Sequence, residues 1–159
     1  RRGWAHIERA TQDGSDREAR LNMMSASMQG AMAFQKGLGA VHSLSHSMGG
    51  VDPRLHHGTL NAIFMPLIVE FNAPAKTMQT EQKLMRMAQA MNLGAGDTVV
   101  EALNSMNERL GMPSGLREMG VSETQFDQII SGAMKDHCHS TNPRIATATE
   151  YRNILTAAL

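Results

Sequence analysis

The sequence predicts an all-α fold, a compact bundle of about six or seven helices around one core. Three observations carry that prediction. Apolar residues recur at helical spacing along most of the chain: Leu21, Met24, Met28 and Ala31; Leu84, Met87, Ala88 and Met91; Val99, Leu103, Met106 and Leu110; Phe126, Ile129, Ile130 and Ala133. No stretch sustains the period-two alternation of a half-buried strand. Helix starts are marked by Ser15-x-x-Glu18, Ser122-x-x-Gln125 and Thr147-x-x-Glu150, in which a hydroxyl and the side chain three residues later satisfy each other's backbone donors.

Taken in chain order, Asp13 to Arg20 reads as a helix start whose acidic first turn complements the macrodipole, with a solvated face. Breaks then fall at Gly37, at Gly49-Gly50-Val51-Asp52-Pro53, at Asn72-Ala73-Pro74, at Asn92-Leu93-Gly94, at Gly111-Met112-Pro113 and at Asn142-Pro143. Asn142-Pro143-Arg144 is a turn ahead of the last helix, since Pro143 biases Asn142 away from helical angles. Methionine occurs 14 times while aromatics make up 4%, which predicts a core filled by flexible unbranched side chains rather than stacked rings.

Composition excludes several functions. The 159 residues suit one domain, and a formal net charge of zero with a pI of about 7.2 offers no field for nucleic acid or an anionic membrane. The longest apolar stretch, Ala62 to Val69, contains Pro66 and is far short of the roughly 20 residues a bilayer span needs. Arg1-Arg2-Gly3-Trp4 lacks an apolar region behind it, so it reads as a cut inside a longer chain and not as a secretory signal. The single cysteine, Cys138, forms no internal disulfide and points to a reducing, cytoplasmic setting. No βαβ unit with a glycine-rich turn is present, so whatever binds a nucleotide lies elsewhere.

Four of the seven histidines cluster in a short stretch: His42, His46, His56 and His57. On a helix, His42 and His46 share one face, and the Gly49-Gly50 break lets the chain return so that His56 or His57 approaches the same point. Three convergent imidazoles make a transition-metal site, whereas the bland alternative is a set of ordinary polar residues near helix ends. Small neighbours (Ala40, Ser43, Ser45, Ser47) leave room beside the rings, as a cleft wall does. No Glu lies between His42 and His46, which removes the zinc-protease motif. His137-Cys138-His139 has the look of a ligand set or an activated thiol.

The stretch from Gly37 to Gly50, followed by His56-His57-Gly58-Thr59-Leu60-Asn61-Ala62-Ile63, resembles the signature of the iron-containing (group III) alcohol dehydrogenases. The resemblance continues through Phe71-Asn72 and Leu116-Arg117-Glu118-Met119-Gly120-Val121 into Asp136-x-Cys138-x-x-Thr141-Asn142-Pro143-Arg144. It implies that residues 1–159 are the C-terminal helical domain of such an enzyme, of the dehydroquinate-synthase-like type, and that an N-terminal NAD(P)-binding α/β domain lies outside the chain. By motif position it implies His42 and His57 as metal ligands, with an Asp and a His upstream of Arg1 completing the set. His46 is implied as a catalytic, proton-relaying residue of the cleft, and Cys138 as a wall of the substrate cleft. His56 stays open as an alternative to His57, and His137 and His139 are expected at the surface. The implied cofactors are Fe²⁺, with Zn²⁺ as the alternative, and NAD or NADP in the full-length enzyme, acting on a small alcohol or aldehyde. A maleylacetate reductase of the same family, or a stand-alone non-catalytic helical module, remain as alternatives, and assembly into a homo-oligomer stays open.

Overall fold

Nine α-helices make up the computed structural model, which describes residues 1–159: α1 (Arg2–Gln12), α2 (Arg17–Ala33), α3 (Ala40–Val51), α4 (His57–Asn72), α5 (Lys76–Thr80), α6 (Lys83–Met91), α7 (Val99–Arg109), α8 (Phe126–Lys135) and α9 (Ala148–Ala157). Short 3₁₀ turns join several of them, and no strand is present. The all-α expectation stands, but the helix count exceeds six or seven. Several helices open without a side-chain cap, among them α1 after Arg1 and α5, only five residues long, after Ala75.

One core joins α3, α4, α8 and α9 with the turn at Leu116–Met119. Leu44, Met48, Leu60, Phe64, Leu116, Tyr151 and Leu155 are fully enclosed in it. The hairpin of α1 and α2 lies outside that core. Its two helices pack mainly on each other, and Ala19 is the one residue they bury. Here the expectation of a methionine-filled core fails. Met48, Met78 and Met106 are buried, whereas Leu21, Met24, Met28 and Met32 line the outer face of α2 with 61–70% of their surface exposed. Helical spacing identifies a face, but not which surface covers it.

Two further readings need correction. Ser15 does not cap α2. Its amide and hydroxyl both donate to Asp13 Oδ1 in an Asx turn, at 2.8 and 2.6 Å, which moves the cap to Asp16, whose carboxylate accepts the Ala19 N–H at 2.9 Å. Nor do Gly49 and Gly50 break α3, which runs on to Val51. The buried Leu44 and Met48 hold the helix by packing, and that outweighs the modest propensity cost of glycine. The reversal comes at Asp52, where the Arg54 side chain and amide both bind the carboxylate and hold its pKa down to about 2. The box at Thr147 forms as read; at Ser122 only the half in which the Ser122 N–H donates to Gln125 Oε1 at 3.0 Å forms, opening a 3₁₀ turn that continues into α8, and an unforeseen box at Thr98–Glu101 caps α7.

Two ties fix α3, the helix that carries His42 and His46. At its start the Ala40 N–H, one of the donors an N-terminus leaves without a helical partner, donates to Asn142 Oδ1 at 3.0 Å. Buried Asn142 also exchanges hydrogen bonds with Asn72 at 2.7 and 3.2 Å and donates to the Arg144 carbonyl at 2.6 Å. Gly39 precedes this contact at φ +96°, and a Cβ there would lie 2.8 Å from Asn142 Oδ1. Halfway along α3, Ser47 Oγ donates to the Ile129 carbonyl of α8 at 2.7 Å. A side chain at Gly132 would overlap that hydroxyl, so glycine sets how closely α3 and α8 approach. No helix is long and apolar enough to cross a membrane.

Candidate metal centre

His42 and His46 project from one face of α3, and His57 opens α4 directly across from them. Ring centroids lie 5.6 Å apart for His42 and His46, 5.3 Å for His42 and His57, and 5.3 Å for His46 and His57. The turn at Asp52–His56 thus performs the return that the glycine pair was expected to make. His56 does not join the group. Its Nδ1 accepts the Thr59 N–H at 3.2 Å and pairs with Thr59 Oγ1 at 3.0 Å, so the ring is spent capping α4.

Burial, followed by the neighbouring rings of His57 and His46, holds His42 below the ordinary histidine pKa. Burial and then His46 do the same for His57. Both shifts favour the neutral form that has a lone pair to give. His57 Nε2 has the Asn61 amide 3.0 Å away, and Asn61 Oδ1 is buried without a hydrogen-bond partner. Convergent neutral imidazoles beside an unsatisfied amide are a donor set that fits a divalent transition metal.

The C-terminal end of α8 closes the other side. Asp136 Oδ2 lies 3.1 Å from His46 Nδ1, and Asp136 Oδ1 accepts the Cys138 N–H at 2.8 Å. Burial works to raise the Asp136 pKa, but hydrogen bonds from the Cys138 amide and thiol and from His46 outweigh it and hold the carboxyl below its ordinary value. Cys138 is buried, and burial followed by Asp136 pushes its thiol up to about 11. At neutral pH it is a buried, protonated thiol and no activated nucleophile. His46, Asp136 and Cys138 offer ligand atoms within 4.8 Å of one another, a second donor group that shares His46 with the first. His137 is exposed, with its ring 6.1 Å from that of His46 and its Nε2 3.4 Å from the thiol. His139 departs from the expected surface position: it is half-buried, with Nδ1 2.9 Å from the Tyr151 hydroxyl.

Sequence spacing did not reveal Asp136 as a partner of His46, because 90 residues separate them. Its place two residues before Cys138 in the quoted motif was the available signal.

A helical domain with histidines converging from two helices is the class that fold and site define. Residues 4–159 match the profile described as Fe-containing alcohol dehydrogenase family, C-terminal, and the chain belongs to that family. Among its relatives, a 4-hydroxybutyrate dehydrogenase of Cupriavidus necator is 60% identical over 158 residues, covering 97% of this chain and 41% of the relative. An NAD-dependent methanol dehydrogenase of Bacillus methanolicus is 35% identical over 159 residues, covering 97% of this chain and 42% of its own length. Of solved structures, a 1,3-propanediol oxidoreductase superposes with a TM-score of 0.88 at 28% identity, covering 98% of this chain and 42% of that one. An alcohol dehydrogenase from Oenococcus oeni superposes equally well, with a TM-score of 0.88 at 26% identity and the same coverage. The chain therefore spans about two fifths of the length of these relatives.

Proposed function

We propose that residues 1–159 are the metal-binding and substrate-lining domain of an iron-dependent, NAD(P)-linked dehydrogenase that interconverts a primary alcohol and its aldehyde. The convergence of His42, His46 and His57 within 5.6 Å of one another carries this reading. His42 and His57 hold the metal through ring nitrogens, and an α/β domain in the rest of the protein supplies the remaining ligands and the NAD(P) site. Bound Fe²⁺ supplies Lewis-acid polarisation of the substrate oxygen, and the nicotinamide supplies the hydride acceptor. His46 takes up the hydroxyl proton as the alcohol is oxidised and returns it in the reverse direction. Cys138, buried and protonated, lines the cleft without reacting.

The 60% identity to a 4-hydroxybutyrate dehydrogenase favours a primary alcohol that bears a carboxylate at its far end over methanol or a diol. The test is NAD(P)-linked oxidation of 4-hydroxybutyrate with added Fe²⁺, by the full-length protein and by residues 1–159 alone. The full-length protein turns over and loses activity in His42→Ala and His57→Ala, while the isolated chain is inactive. Turnover by the isolated chain in the usual range of about 1–10³ per second would overturn the domain assignment. A full-length protein indifferent to both substitutions would overturn the ligand assignment.

A further inference from the structure

We propose that Asp136 is the positioning residue of His46: its carboxylate holds the imidazole in the Nδ1–H form and leaves Nε2 as a bare acceptor in the cleft. The proposal deepens the relay role given to His46 and rests on that reading for its functional consequence. The geometry itself is independent of it.

An ionised carboxylate can only accept hydrogen bonds, so the 3.1 Å contact between Asp136 Oδ2 and His46 Nδ1 requires Nδ1 to carry a proton. The carboxylate cannot easily swing away. Its other oxygen is held by the Cys138 N–H at 2.8 Å, and the backbone around it is fixed by the His139 N–H donating to the Asp136 carbonyl at 3.0 Å. These hydrogen bonds leave Asp136 with both oxygens used, one on the loop and one on the ring.

His46 is confined from the other directions by stacking. Its ring lies nearly parallel to His57, at 14° and 5.3 Å, and to His137, at 24° and 6.1 Å. Stacking fixes the plane of the ring but not which edge faces which way. A half-turn about the Cβ–Cγ bond would keep both stacks and exchange Nδ1 for a carbon, and only Asp136 distinguishes the two orientations. Once Nδ1–H is committed to Asp136, a neutral ring must carry its lone pair on Nε2, on a side chain that remains 35% exposed. A bare Nε2 can take a proton from a hydroxyl; an Nε2–H cannot.

The test is a long-range ¹H–¹⁵N correlation spectrum of the histidine-labelled 159-residue chain at pH 8.5, well above the ordinary histidine pKa of about 6.5. His46→Gln assigns the signals by their loss. The wild-type ring shows a protonated Nδ1 and a bare Nε2. In Asp136→Asn the side-chain carbonyl still accepts the Cys138 N–H while the amide nitrogen faces His46, and the ring switches to Nε2–H; Asp136→Ala, which offers no partner, switches it as well. An Nε2–H ring in the wild type overturns the proposal without any variant having to fold, and so does an Nδ1–H ring that survives both substitutions. Stoichiometric Zn²⁺ that displaces the Nδ1 proton would instead assign His46, Asp136 and Cys138 to a metal. In the full-length dehydrogenase, Asp136→Asn lowers kcat by roughly 10²-fold with KM little changed. An Nδ1–H wild-type ring combined with an unaltered kcat in Asp136→Asn upholds the geometry and sinks the relay reading.

Discussion

Single residues decide whether the histidines can work together, and the clearest lever on them is protonation. A ligating imidazole must be neutral, so protons compete with metal. Because burial and neighbouring rings depress the His42 and His57 pKa values, that competition sets in at lower pH than for an ordinary histidine of about 6.5. Calorimetric titration of the chain with Zn²⁺ should show weak binding at pH 7.5, since two imidazoles leave the other positions to water. Binding should fade as pH falls, the loss setting in at lower pH than it would for ordinary histidines; substitution of His42 or His57 by Ala should weaken it at every pH. Tight binding that survives both substitutions would move the metal to the group of His46, Asp136 and Cys138. Asn142 matters in another way. It is buried and hydrogen-bonded to Ala40, Asn72 and Arg144, so Asn142→Ala leaves several polar groups enclosed without partners. Urea denaturation should register a loss of about 2–4 kcal/mol. A loss below about 0.5 kcal/mol, the level of an unremarkable surface change, would mean that water replaces its bonds.

At the level of elements, legibility followed the range of the interaction responsible. The Thr147 box is read from residues three apart, and the histidine cluster from α3 and the start of α4, which follow each other in the chain. What spacing missed is long-range. Gly49 and Gly50 look like a break because the packing of Leu44 and Met48 against other helices is invisible from their neighbours. The pairing of Asp136 with His46 depends on how α8 meets α3, which Gly132 and Ser47 set across 85 positions of chain. The apolar stripe of α2 was misread for the same reason, since its period is right and its cover is absent. This makes a direct comparison of two helices. Met28→Lys on the exposed face of α2 should change unfolding free energy by no more than about 0.5 kcal/mol, whereas Met48→Ala in α3 should cost about 2–5 kcal/mol. Equal costs would show that α2 is covered in solution by something the chain itself provides. Gly132→Ala should be destabilising although alanine is the better helix former, because the added methyl meets Ser47.

The molecule as a whole has two parts of unequal solidity. The core of α3, α4, α8 and α9 encloses the large apolar side chains, while the α1–α2 hairpin buries only Ala19 and is tied to α7 through the Glu8–Arg109 ion pair at 2.6 Å. Surface ion pairs contribute about 1 kcal/mol or less, so the hairpin should open well before the core. Native-state hydrogen exchange should find amides of α1 and α2 exchanging at least about tenfold faster than those of α3 and α8. Uniform protection across all four helices would refute this division. The tie between Ala40 and Asn142 carries a consequence for the order in which the molecule comes into being. His42 and His57, the ligands proposed above, both leave the ribosome long before Asn142 does, and the bond that fixes the start of His42's helix spans 102 residues. At about 5–20 residues per second, synthesis of that span occupies roughly 5–20 s. Through that interval His42 rides on a helix whose start is still untethered, and its placement against His57 at the head of α4 is set only when the C-terminal segment closes over α3.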